Sequence, residues 1–171
     1  MDAEELRALQ APLKARYKAE PDTAMITMRA TGTLNGEALA CHLDLDRTTS
    51  AAGLHPAAGG TDAELCSGDM LLQALVGCAG VTLKAVATAM GVKIDGATIT
   101  AQGDCDFRGT LGIDRTVPVG FRSIRLTFDI RSGAPKEQVD QLIKLAERYC
   151  VVYQTLTCPP AMTVSANLTG L

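Results

Sequence analysis

The sequence predicts an α+β fold in one domain, and three observations carry that reading. The chain has 171 residues, 47% of them hydrophobic, which is enough for one real core. Its apolar patterning switches between a period of two and a period near 3.6, in the order helix, hairpin, helix, two strands, helix, strand. Strands and helices segregated in this way belong to α+β architectures rather than to alternating α/β ones. The third observation is Ser67 to Met90, SGDMLLQALVGCAGVTLKAVATAM, the longest apolar run. Between Met70 and Met90 its only formal charge is Lys84. A helix apolar on nearly every face is expected to be buried on nearly every face.

Taken in order, residues 2–19 read as an amphipathic helix. Asp2 and Glu5 have capping-box spacing, Leu6, Leu9, Leu13 and Tyr17 form a stripe, and Pro21 stops it. It is expected to pack on the body or on a partner subunit. Met25–Thr33 and Glu37–Asp46 then flank Asn35-Gly36, a strong two-residue turn signal. In the second strand Cys41 falls on the apolar face and His42 on the polar one, so the former reads as core and the latter as a solvated histidine. Residues 47–66 hold Gly53, Pro56 and Gly59-Gly60 and read as a loop, with His55 an ordinary loop histidine.

Ser67 is the expected N-cap of the long helix, and Asp69 in its first turn complements the helix dipole. Cys78 lies at its centre beside Gly77, with Gly80 just beyond. Glycine weakens a helix by ~1 kcal/mol relative to alanine, so two of them imply close approach to the backbone. Val92–Phe107 follows as a strand with Ala97, Ile99, Ala101, Cys105 and Phe107 on one face. A polar loop, 108–120, leads to a second strand, Phe121–Arg131, with Ile124, Leu126, Phe128 and Ile130 inward. Pro135 suits the first turn of the next helix. Its inner stripe is Val139, Leu142, Ile143, Ala146, Tyr149 and Cys150. Val151–Thr157 continues as a short turn or helix, and Ala161–Leu168 alternates as a closing strand.

Composition excludes several functions. A net charge of −3 and a pI near 5.3 disfavour a nucleic-acid groove. Aromatics are 4% with no Trp, which argues against a base-stacking platform. The acidic start MDAEELRALQ is unlike a signal peptide, and the long apolar run, holding Gln73 and Lys84 without a basic flank, reads as a soluble helix rather than a membrane span. A cytoplasmic protein is therefore expected. Six cysteines in that setting, none in a C-x-x-C, argue against a disulfide framework and against a zinc site. No metal or cofactor is expected. No G-x-S-x-G, H-E-x-x-H, phosphate loop or dinucleotide fingerprint occurs. What remains is a pair of thiols, Cys78 and Cys150, on the inward faces of two helices. Packed helix axes lie about 8–10 Å apart, so facing cysteines there approach disulfide reach. Packing alone stays open as the reading of each thiol taken singly.

The segment LLQALVGCAGVTL around Cys78 and the segment AERYCVVYQTL around Cys150 resemble, in that order, the two cysteine motifs of the OsmC/Ohr family of thiol peroxidases. TGTLNG in the hairpin, DFRGTLGIDRTVPVGF and the final strand fit the same pattern. The resemblance spans roughly residues 24–168 and is closer to the OsmC-like branch. It implies an OsmC-like domain over 21–171 after the N-terminal helix of 1–20. It implies antiparallel sheets packed around a central buried helix, in an intertwined homodimer with two interfacial active sites. It further implies a peroxidatic Cys78 that attacks a hydroperoxide and becomes a sulfenic acid, a resolving Cys150 that closes a disulfide, and a dithiol reductant, lipoyl-type or other, that reopens it. A helix C-terminus disfavours a thiolate, which suits Cys150 to resolving.

Two positions depart from the family pattern. Where its peroxidases place an arginine after the hairpin, this chain has Leu34; Arg29, Arg47, Arg115 and Arg122 are the substitutes available. Where the family places a glutamate before the first cysteine, this chain has Asp69, half a turn out of phase with Cys78 on an ideal helix. Cys66 and Cys158 lie outside the two motifs and read as incidental, Cys158 being the alternative resolving thiol. The alternative function is an OsmC-like stress-related protein of weak or no peroxidase activity that binds a small apolar ligand in the dimer cleft.

Overall fold

The structure, a computed structural model of the whole chain, describes residues 3–34, 42–43, 52–60 and 65–166. It is a mixed fold in which helices pack on an antiparallel sheet. Helix α1 (Ala3–Ala19) runs through Pro12 and leads by a 3₁₀ turn (Pro21–Ala24) into strand β1 (Met25–Leu34). Short strands β2 (His42–Leu43), β3 (Ala52–Gly53) and β4 (Leu65–Cys66) precede helix α2 (Ser67–Met90). Strand β5 (Gly96–Asp106), the helical turn α3 (Phe107–Thr110), strand β6 (Phe121–Arg131), helix α4 (Lys136–Tyr149) and helix α5 (Val151–Thr157) complete the order.

The main sheet has the order β2-β1-β5-β6 and is antiparallel throughout. Paired residues on one face share that face, so Ile99 opposite Phe128 and Ala101 opposite Leu126 extend a single apolar surface. Phe121 lies over Gly103, where a Cβ would come within 2.5 Å of its ring, so only glycine fits there. On the opposite face Asp104 ties three strands. It accepts from Thr27 Oγ1 at 2.7 Å and Ser123 Oγ at 2.6 Å and pairs with Arg125, and these partners hold its carboxyl far below the usual carboxylate range.

Helix α2 lies across β1 and β5 and against α4 and α5. Leu72, Leu75, Val76, Ala79, Leu83 and Ala87 are buried, at i, i+3, i+4, i+7 spacing. Each large apolar side chain there contributes roughly 1.5–3 kcal/mol by leaving water. Gly91, in the left-handed conformation at φ 66°, ends the helix, and its amide bonds back to Thr88. Helix α1 packs on its own chain. Tyr17 is fully buried, its hydroxyl donating to Ala57 O at 2.8 Å, while Gln10 Nε2 donates to Ala58 O at 3.2 Å.

Several expectations change. Within one chain α2 buries a single face: Leu71 and Val81 are 38% and 39% exposed, with Ala74 and Ala85 beside them. Composition gives the apolarity of a helix but not how many neighbours surround it. Cys66, not Ser67, is the N-cap of α2, and it makes no side-chain cap bond. Thr33 pairs with His42, whereas a two-residue turn at Asn35-Gly36 would set it against Ala38. The turn itself and Cys41 lie outside the described residues. The expected loop of 47–66 contains β3 and β4, a parallel pair, and a 3₁₀ turn at Pro56–Ala58. Strand β5 begins only at Gly96, because Val92 closes the end of α2 with a bond to Ala87 O. Pro135 is the N-cap of α4 rather than inside its first turn. Tyr149 is 59% exposed, because α4 ends there and its stripe ends with it.

The closing strand is absent from the described part of 161–168. Residues 161–166 pair with no strand among the described residues, and Met162 and Val164 are 87% and 94% exposed. Alternation marks the faces of a strand but supplies no edge for it to join.

The Tyr17 hydroxyl gives a test of how α1 is held. Tyr17→Phe leaves the buried Ala57 carbonyl without this donor and is expected to lower stability by about 1–2 kcal/mol. Urea denaturation followed by circular dichroism measures this; an unchanged midpoint would mean that the Tyr17 bond does not hold α1.

Candidate active site

The site is built where α2 meets the junction of α4 and α5. Cys78 sits at the middle of α2, half-buried, on the side that faces α5. Cys150 is the junction. Its amide donates to Ala146 O at 2.9 Å and closes α4, while its carbonyl accepts from Gln154 N at 2.9 Å and opens α5. Its backbone is extended (φ −73°, ψ 107°), which breaks what periodicity predicts as one helix end. The Cys150 sulfur then does what a serine or aspartate oxygen does at an N-cap: it accepts from Tyr153 N at 3.4 Å.

This break sets the chemistry of both thiols. Burial by itself raises the Cys78 pKa. The amides of Val152 and Val151, the Cys150 thiol and the Thr82 hydroxyl outweigh it, so the Cys78 thiol is more acidic than an ordinary cysteine. Cys150 goes the other way. It is 1% exposed, and burial, reinforced by the contact with Cys78, pushes its thiol up to about 11. Cys150 is therefore the proton holder of the pair, donating toward the Cys78 sulfur. The cause of these shifts is not the one expected from sequence. It is burial of Cys150 and amides aimed at Cys78, not a helix C-terminus acting on Cys150.

The remaining sequence candidates lie elsewhere or act weakly. Asp69 is half-buried in the first turn of α2, nine residues before Cys78, and is not among the groups acting most strongly on that thiol. No guanidinium is among them either. Arg115 and Arg122 are exposed, and the side chain of Arg29 and all of Arg47 lie outside the described residues. Arg122 does line a cavity of about 320 Å³ and mixed polarity, with Leu75, Ser123, Leu126, Tyr153 and Thr157, which neither Cys78 nor Cys150 borders. A cleft of about 540 Å³ at the end of β5 and β6 is larger but, among the described residues, is lined by no cysteine. Among the described residues no group of three or more His, Cys, Asp or Glu is placed to hold a metal ion. His55 is more constrained than a loop histidine: its Nδ1 accepts from Ala57 N at 3.0 Å and its ring stacks on Phe107 at 5.0 Å.

Thr82 and the two amides are what sequence reasoning missed. Thr82 was legible, being i+4 from Cys78 on one helix face. The amides were not, because YCVV carries no glycine or proline to announce a break in the helix.

Comparison with known proteins follows the same lines. The OsmC-like protein family matches residues 60–165, which include both thiols. No curated protein matches the chain. The crystal structure of an OsmC-like hydroperoxide resistance protein from Jannaschia sp. CCS1 is similar in fold, with a TM-score of 0.57 and 19% identity over 86% of this chain and 95% of that one.

The split between the thiols predicts a pH signature. Cys150 binds its proton more tightly folded than unfolded, so its contribution to stability is complete below pH 9.0 and is lost as pH rises toward about 11. Cys150→Ala should flatten the fall in unfolding free energy across that window. Iodoacetamide should modify Cys78 with a midpoint below 9.0. Equal midpoints for the two thiols would refute the assignment.

Proposed function

The chain belongs to the OsmC-like protein family, and from the polarised thiol pair within it we propose a thiol-dependent peroxidase that reduces organic hydroperoxides. The observation that carries this reading is the contact between Cys78, made acidic by the Val151 and Val152 amides, and the buried, protonated Cys150. The Cys78 thiolate attacks the terminal oxygen of the hydroperoxide. The O–O bond breaks, the alkoxide takes a proton and leaves as the alcohol, and Cys78 becomes a sulfenic acid. Cys150 then attacks the sulfenic sulfur, water leaves, and a Cys78–Cys150 disulfide forms. A dithiol reductant, lipoyl-type or other, reopens it. The half-buried position of Cys78 and the enclosure of Cys150 favour this order, since peroxide reaches Cys78 first. The Jannaschia protein's description as a hydroperoxide resistance protein supports a stress-related role. Asp69 would act as an orienting carboxylate, and the protein would work in the cytoplasm without a cofactor.

The working unit in this reading is an intertwined homodimer, with α2 central to it. Three features support a second copy: the apolar stripe Leu71–Ala74–Val81–Ala85 on α2, the half-covered face of β6 at the end of the sheet, and the unpaired alternating segment 161–166. A second functional reading rests on Leu34, which stands where the family's peroxidases place an arginine, and on the absence of a guanidinium, among the described residues, from the groups acting most strongly on Cys78. It is an OsmC-like protein of weak peroxidase activity that binds a small apolar ligand in the dimer cleft.

Turnover of cumene hydroperoxide with dihydrolipoamide separates the two readings. Cys78→Ser should lower the rate by about a thousandfold or more. Cys150→Ser should leave a Cys78 sulfenic acid that dimedone traps. Thiols that stay free under excess peroxide would exclude the peroxidase. Sedimentation should give twice the 17.9 kDa chain mass, and Val81→Glu should return it toward one.

A further inference from the structure

A second group of nucleophiles lies away from the Cys78–Cys150 pair. It borders a cavity of about 220 Å³ at the N-terminal end of α2, walled by Leu54, His55, Phe107, Phe121 and two thiols, Cys66 and Cys105. Among the described residues no Asp, Glu, Lys or Arg lines it. Cavities of about 150 Å³ already hold benzene when their walls are apolar, so this one accommodates a ring of six carbons with a substituent.

Its walls are fixed by bonds outside it. Asp106 is fully buried and takes the Arg108 guanidinium at 2.6 Å and the Arg108 amide at 3.1 Å, which sets the turn carrying Phe107. Phe107 stacks on His55, whose Nδ1 is held by the Ala57 amide, and Ala57 O is held in turn by Tyr17. A cavity framed this way exists before any ligand arrives. The two thiols in its wall are unlike. Cys105 is 6% exposed and its burial pushes the thiol up, which keeps it protonated. Cys66 is half-exposed, close enough that its charge would raise Cys105 further.

We infer that this cavity binds small neutral soft electrophiles, α,β-unsaturated carbonyl compounds of about seven non-hydrogen atoms, and that Cys66 adds to them. Neutrality follows from walls in which no described residue carries a charge, size from the volume, and softness from sulfur as the attacking atom. In the addition the Cys66 S–H bond breaks and an S–C bond forms at the β-carbon. The C=C electron pair passes to the α-carbon, which takes up a proton. The thioether is the sum of thiol and enone, so neither oxidant nor reductant is consumed. The step is independent of peroxide turnover.

Reduced full-length protein treated with 2-cyclohexen-1-one, with adducts counted at each cysteine by mass spectrometry, tests this. The Cys66 rate should saturate with enone concentration, because binding precedes bond formation, while the exposed Cys158 rate rises linearly. The anion iodoacetate should give a Cys66-to-Cys158 ratio about tenfold lower than the enone does. Val119 lines the cavity and is largely exposed, so Val119→Trp obstructs it without entering the core. It should slow Cys66 about tenfold and leave Cys158 unchanged. A linear Cys66 rate, or a Val119→Trp protein that reacts like the parent, would overturn the inference whether or not the protein reduces peroxides.

Discussion

The break between α4 and α5 at Cys150 is the constraint on which the thiol site depends. Had α4 continued unbroken, the amides of Val151 and Val152 would bond to carbonyls one turn back and would be unavailable to a sulfur on α2. Because Cys150 is extended, those donors are released at the start of α5 and act on Cys78. The same backbone turn carries the Cys150 side chain inward, where burial keeps it protonated. One pair of dihedral angles therefore makes one thiol more acidic and its neighbour less so. Among the described residues the main influences on Cys78 are dipoles of the main chain and the Cys150 and Thr82 side chains.

That junction is held by α2. The stripe from Leu72 to Ala87 fills the space between sheet and helices, and Leu75 and Ala79, one turn and one residue from Cys78, belong to it. Packing of this kind fixes Cys78 opposite the α4–α5 junction to within the tolerance of interlocked side chains. The opposite edge of α2 is different. Its Leu71, Ala74, Val81 and Ala85 are apolar yet open in a single chain.

The N-terminal third of the fold bears on the other thiol cluster. Tyr17 of α1 pins the turn at Ala57, that turn fixes His55, and His55 stacks on Phe107 beside Cys105. The helix expected to pack on the body or on a partner subunit is thus linked by three contacts to the wall of that cavity. Cys66 and Cys105, incidental and core cysteines by pattern alone, share that wall.

Much of this was already written in the sequence. Period-two and period-3.6 patterns gave α1, β1, α2, β5, β6 and α4 to within a few residues, because burial of one face requires that spacing whatever the partner. The same patterns put Cys78 and Cys150 inward, and their two motifs gave the family. Tertiary structure decided the rest. Thr33 pairs with His42 rather than as the Asn35-Gly36 signal implies, since register follows the whole strand pair. The alternating segment 161–166 joins no edge among the described residues, so its pattern does not become a strand there. The relative acidity of the two thiols depended on amides that no residue type announces. A pKa is set by the groups that surround a sulfur in space, and those are brought together only when the chain has folded.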